Sequence, residues 1–187
     1  MTSDRIPKRE RSRIRIMHAA KGLFEEHGID NVTFQMIADK SEMCRTTIFN
    51  HFSGIEDLML ALSSQEIMDI KDYCEENALE GRDLVYGLYD KLIEDTALYP
   101  ALTSTLTNNA ILSKDQNNPV RILINLTLKG IQDMGYEDSE LRAMMTEGAY
   151  YGLVNHYHVT GKKFDAEIMK KEFRLMTANF IGGEDRW

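Results

Sequence analysis

Thr33-Phe34-Gln35-Met36-Ile37-Ala38-Asp39-Lys40, the break Ser41-Glu42-Met43-Cys44, and Arg45-Thr46-Thr47-Ile48-Phe49-Asn50-His51-Phe52 form the stretch on which the fold turns. Thr33 carries a hydroxyl that can accept a hydrogen bond from the first turn of a helix, and Phe34, Ile37 and Ala38 fall on one side of that helix. After the four-residue break, Ile48 and Phe52 stand four apart and point inward, which leaves Thr46, Thr47, Asn50 and His51 toward solvent. Two short amphipathic helices around a tight turn make a helix-turn-helix, whose second helix is free to meet a partner.

Working outward, Ile16, Met17, Ala20, Leu23 and Phe24 recur at helical spacing over residues 8–27, and Gly28 follows as a stop. Beyond Ser53-Gly54 the pattern lengthens into helices expected at about 56–77, 83–97, 101–112, 119–134, 139–159 and 165–181. Asn118 before Pro119 reads as a cap followed by a first-turn proline. The helix over 119–134 carries Val120, Ile122, Leu123, Ile124, Leu126, Leu128 and Ile131, apolar nearly all round, and is expected to be central and buried. The expectation is an all-α protein: an N-terminal three-helix helix-turn-helix domain at 1–54 and a C-terminal domain of about six helices at 55–187.

Composition supports this reading. The chain has 187 residues, 43% of them hydrophobic, with three prolines and two cysteines. That is enough apolar material for a real core and too little cysteine for a disulfide framework. No apolar run approaches the roughly 18 residues that a membrane helix needs, and no apolar signal core opens the chain, so a cytoplasmic protein without a membrane partner is expected. The net charge of −8 argues at first against nucleic acid. It hides a gradient, because Arg5, Lys8, Arg9, Arg11, Arg13, Arg15 and Lys21 face only Asp4 and Glu10 in residues 1–24, a net charge of +5, while everything after is acidic. A basic leader on an acidic body suits an arm that touches phosphates; a solvated helix end has the same composition.

No catalytic constellation is present. Cys44 and His51 lie two helical turns apart, roughly 10 Å, too far for a nucleophile and its base. His156 and His158, two apart, point to different helical faces, and no metal ligand set or cofactor motif occurs. Cys44 itself has two readings, a thiol activated at a helix start or, more commonly for a lone cysteine, a small buried hydrophobe.

Phe24, Gly28, Thr33, Ile37-Ala38, Thr47-Ile48-Phe49-Asn50-His51-Phe52 and Glu56-Asp57-Leu58 together resemble the DNA-binding domain of the TetR family of transcriptional regulators, over roughly residues 10 to 60. Three positions depart from that pattern: Glu42 where the turn has glycine, Cys44 where Ser or Thr caps the second helix, and Ile55 where a lysine reaches a phosphate. A side chain in a left-handed turn and a weak cap each cost about 1 kcal/mol, and the missing lysine removes roughly one phosphate contact.

The resemblance implies a homodimeric, ligand-responsive regulator, a repressor in the first instance, that binds a palindromic double-stranded DNA operator and is released by a small effector. Thr33, Arg45, Thr46, Thr47, Phe49, Asn50 and His51 would face DNA, Arg45 reading guanine or holding a phosphate and His51 positioning the backbone. In the C-terminal domain Tyr86, Tyr89, Asn109, Tyr151 and Asn155 are the preferred effector residues, aromatic and amide groups suited to a moderately hydrophobic molecule. Met145, Gly148, Gly152, Phe173, Met176 and Phe180 on the last two helices are expected at the dimer interface, where the small glycines admit a partner helix. The reading from another class is a helical protein-interaction adaptor that has kept the fold and lost tight DNA binding, which Glu42, Ile55 and the acidic surface permit.

Overall fold

The computed structural model describes residues 7–112 and 118–182, with side chains left undescribed at 107–112. Among these residues there are nine α-helices and no strand: α1 Lys8–His27, α2 Phe34–Ser41, α3 Arg45–His51, α4 Ile55–Glu76, α5 Gly81–Leu98, α6 Pro100–Leu112, α7 Val120–Asp133, α8 Ser139–Thr160 and α9 Ala166–Ile181. The chain divides into two compact units between Ser64 and Gln65, a point inside α4.

In the N-terminal unit α1 buries Ile16, Met17, Ala19, Ala20, Leu23 and Phe24. It stops at Gly28, whose φ of 75° needs no Cβ and whose N–H reaches the Phe24 carbonyl. Thr33 caps α2 as its chemistry predicts, its Oγ1 accepting from the Met36 N–H at 3.3 Å. Phe34, Ile37 and Ala38 are buried on α2, and Ile48 alone on α3, with Phe52 closing the core just beyond it. Each of these larger side chains contributes about 1.5–3 kcal/mol by leaving water.

The C-terminal unit is a helical bundle in which α5 packs on α7 and α9, and α8 on α7 and α9, with α6 against α5 and α8. Tyr89 of α5 is at its centre, stacked on Phe173 of α9 at 4.8 Å and 5.7 Å from the Tyr150 ring of α8. The α7 helix departs from expectation. It buries only the face of Leu123, Thr127, Gly130 and Ile131, while Ile124 stays exposed and Ile122, Leu126 and Leu128 are half-buried. Neighbouring helices cover it from one side, and apolar content alone does not tell which side that is. Asn118 caps it as expected, its side-chain oxygen accepting from the Val120 N–H at 3.1 Å. Among the described residues no helix is long and apolar enough to cross a membrane, and no cluster of metal-ligating side chains occurs.

Candidate nucleic-acid interface

The turn between α2 and α3 sets the direction of α3. Glu42 occupies it in the left-handed region, φ 54° and ψ 43°, where glycine would sit without strain. Its N–H and that of Met43 reach back to Asp39 and Ala38, which closes the α2 carbonyls, and Arg15 of α1 donates to both the Ser41 carbonyl and the Glu42 carboxylate. The departure from glycine is thus met by a cation from a different helix.

On α3, Arg45, Thr46, Phe49 and Asn50 are exposed and Thr47 and His51 half-buried, with Thr33 exposed at the start of α2. Phe49 sets its ring edge against Phe34 at 4.9 Å, and the Arg45 guanidinium lies 5.3 Å from the Phe49 ring centre. Arg45 is therefore held along the helix it belongs to, with its donors still available. Thr47 is partly committed: its hydroxyl lies 3.0 Å from Cys44 Sγ. Cys44 is exposed, which overturns its reading as a buried hydrophobe, because α3 is too short to cover its own cap position. The Thr47 hydroxyl, ahead of neighbouring backbone N–H groups, draws the thiol below its ordinary value.

Basic groups of α1 gather where α3 ends. Arg13 lies over the Phe52 ring at 4.6 Å, and burial, then Arg9 and Arg13, hold the His51 imidazole below its ordinary range, with Glu10 opposing them. The leader foretold the charge of this region; its convergence on His51 depends on a packing between helices nearly forty residues apart in sequence, for which no local signal exists.

The effector candidates separate. Tyr89 is fully buried, its hydroxyl 3.2 Å from Thr127 Oγ1, and Tyr151 is half-buried 5.6 Å from the Tyr150 ring, so these two join one aromatic cluster through Tyr150. Tyr150 in turn lies 2.8 Å from the Thr96 hydroxyl, and burial pushes both the Tyr89 and Tyr150 phenols up. Tyr86 is half-buried beneath Arg174 and packs against the same core, Asn155 is exposed, and the Asn109 side chain lies outside the described residues. Glu147, which the sequence reading passed over, is half-buried one turn before Tyr151.

Of the interface candidates Met145, Gly148, Gly152 and Met176 are exposed and Phe180 is half-buried, whereas Phe173 points inward onto Tyr89. Leu141, Met144 and Val159 on α8 and Ile168 and Leu175 on α9 are also exposed, each by half or more. Leu175 was missed, although its seven-residue spacing from Ile168 marks the same face.

Residues 16–62 match the model of the bacterial regulatory proteins of the tetR family. The HTH-type transcriptional repressor AcnR of Corynebacterium glutamicum is 32% identical over 68 residues, and that of Corynebacterium diphtheriae 33% over 64. The similarity to the first spans 36% of each chain, about a third of the length of these curated relatives. Among solved structures, FadR of Bacillus subtilis, in complex with stearoyl-CoA, superposes with a TM-score of 0.72 at 17% identity, covering 92% of this chain and 99% of that one. SmeT, the repressor of a Stenotrophomonas maltophilia multidrug efflux pump, gives 0.65 at 19% identity, with 90% of each chain covered. Residues 16–62 thus carry a segment similar to the DNA-binding region of tetR-family regulators, and the solved structures share the helical fold along nearly the whole length.

Proposed function

We propose that the protein is a DNA-binding transcriptional repressor that acts as a homodimer on a palindromic operator and is released by a small, moderately hydrophobic effector. The observation that carries this is the exposed face of α3. Arg45, Thr46 and Asn50 leave the fold with cationic, hydroxyl and amide groups, while Ile48 and Phe52 are the side chains buried in the core. A face of that chemistry on a narrow helix suits a major groove about 12 Å wide, with Thr33 and His51 beside it for backbone contacts. The name of the AcnR relatives favours repression.

The apolar surface of α8 and α9 favours a second copy of the chain, and the Tyr89, Tyr150 and Tyr151 cluster favours an organic effector. The FadR neighbour, a protein of the same fold, is described with stearoyl-CoA. Binding releases DNA only if the effector prefers a separation of the two heads that the operator rejects. A cytoplasmic, non-enzymatic protein needing no cofactor accords with this reading. The adaptor alternative still rests on Glu42, Ile55 and the acidic surface, and the left-handed Glu42, paired with Arg15, remains in the turn.

A gel-shift of the DNA flanking the protein's own gene tests the proposal. Retardation that weakens steeply with added salt, because phosphate contacts release counterions, and that is lost from scrambled competitor more readily than from the native site, supports it. No retardation at low salt overturns it.

A further inference from the structure

Arg9 and Arg13 stand four residues apart on α1, and α3 ends beside them. Phe52, itself buried, is flanked by both partners: the Arg13 guanidinium carbon is 4.6 Å from its ring centre, and the His51 ring centre is 6.3 Å away. The charged groups that face His51 are Arg9, Arg13 and Glu10, all from α1. Arg9 is exposed and Arg13 half-buried, and among the described residues neither forms an ion pair. Arg13 and His51 thus share the surroundings of the Phe52 ring, and Arg9 and Glu10 act on His51 from the same helix as Arg13; two guanidiniums against one acid leave an excess of positive charge that an external anion can neutralise.

We propose that Arg9, Arg13 and His51 form a seat for one DNA backbone phosphate, and that filling the seat draws a proton from solvent onto the His51 ring. The inference rests on the DNA-binding reading above and adds a proton to it. In the free protein burial and the two arginines keep the imidazole neutral near pH 7, since a third positive charge is unwelcome there. A phosphate reverses that preference. The imidazolium then presents an N–H at both ring nitrogens and adds a charge-assisted contact that the neutral ring lacks. Because the complex holds more protons than the free partners, affinity rises as pH falls through the His51 pKa of the complex and levels off below that of the free protein.

The test is fluorescence anisotropy with a labelled duplex from the gene's flanking region, from about pH 6 to about pH 8.5 at constant ionic strength, together with calorimetry in two buffers of different ionisation enthalpy. The wild-type protein is expected to weaken with rising pH, by up to about tenfold per pH unit in the steepest region, and to take up protons on binding. His51→Gln is expected to bind with an affinity that varies by less than about twofold across the range. Arg13→Gln, which removes one of the charges depressing the imidazole, is expected to bind less tightly and to move the pH range of proton uptake upward; a purely structural role for Arg13 would leave that range unchanged. A flat wild-type profile, or a pH dependence retained in His51→Gln, overturns the proton-linked seat while leaving DNA binding intact. Failure of the wild-type protein to bind the duplex at every pH removes the regulator reading, and this inference with it.

Discussion

Arg15 of α1 reaches the Glu42 carboxylate at 3.2 Å and, with the same nitrogen, the Ser41 carbonyl at 2.8 Å. The tightest turn of the helix-turn-helix is thereby tied to a residue of α1 that precedes it by more than twenty positions. Both charged side chains are more than half exposed, so the ion pair itself is screened and worth at most about 1 kcal/mol. The bond to the part-buried Ser41 carbonyl is the less replaceable element. Arg15→Ala is accordingly expected to destabilise the protein by about 1 kcal/mol. Glu42→Gly trades relief of left-handed strain against a lost surface pair and a looser unfolded chain, and is expected to fall within about 1 kcal/mol of wild type. Urea unfolding measures both; a larger loss for Glu42→Gly than for Arg15→Ala would contradict this ordering.

On the proposed DNA-binding reading, α3 and the basic residues of α1 have different tasks that mutation can separate. Arg45→Ala is expected to reduce discrimination between operator and competitor DNA, by about 1–3 kcal/mol if the guanidinium reads a guanine. Arg11→Gln, on the exposed basic arm, is expected to weaken binding to every sequence alike and to reduce the salt slope by about one. Competition gel-shifts at several salt concentrations give both numbers, and identical effects from the two changes would refute the division.

Glycines on α7 and α8 make opposite demands. A methyl group at Gly130 would come within 2.8 Å of the Gly81 carbonyl oxygen and of Val85, so Gly130→Ala forces α5 and α7 apart and is expected to cost about 1–3 kcal/mol. At Gly148 and Gly152 a methyl group meets nothing within 4 Å in the single chain. Alanine at either site is expected to stiffen α8 by up to about 1 kcal/mol in a monomer, and at the same time to weaken self-association if a second copy packs there. Sedimentation at micromolar concentration reads the second effect, and a dimer left as tight by the double substitution would move the interface off this face.

Glu147 supplies a pH dependence of known sign. Burial lifts its carboxyl above the usual range, so the folded state holds the proton more firmly than the unfolded chain does. No penalty exists below the unfolded pKa, and it grows as pH rises through that value and is complete above the folded one. Glu147→Gln is therefore expected to stabilise the protein at about pH 7, by less than about 1 kcal/mol given the partial exposure and seen as a raised melting midpoint, and to match wild type below about pH 4. Thermal melts at the two pH values suffice. An equal gain at both would assign the effect to packing instead.

Much of this architecture is written in local pattern. The bounds of α1, the Thr33 cap and the inward pair Ile48 and Phe52 follow from spacing and from the chemistry of single residues, which is why they can be read along the chain. The side of α7 that is covered, the inward turn of Phe173 onto Tyr89 and the meeting of His51 with Arg9 and Arg13 depend on which helices come together. The exposure of Asn155, one turn after the half-buried Tyr151, has the same origin, because helical periodicity names a face and not the neighbour that covers it.

The seven residues of α3 commit only Ile48 to the core, and the aromatic that anchors the helix, Phe52, lies just past its end. Arg45, Thr46 and Asn50 hold nothing up. Substitutions at these three positions are therefore expected to leave the scaffold standing, so that, if α3 reads DNA as proposed, its sequence preference can change while the folding stability is inherited unaltered.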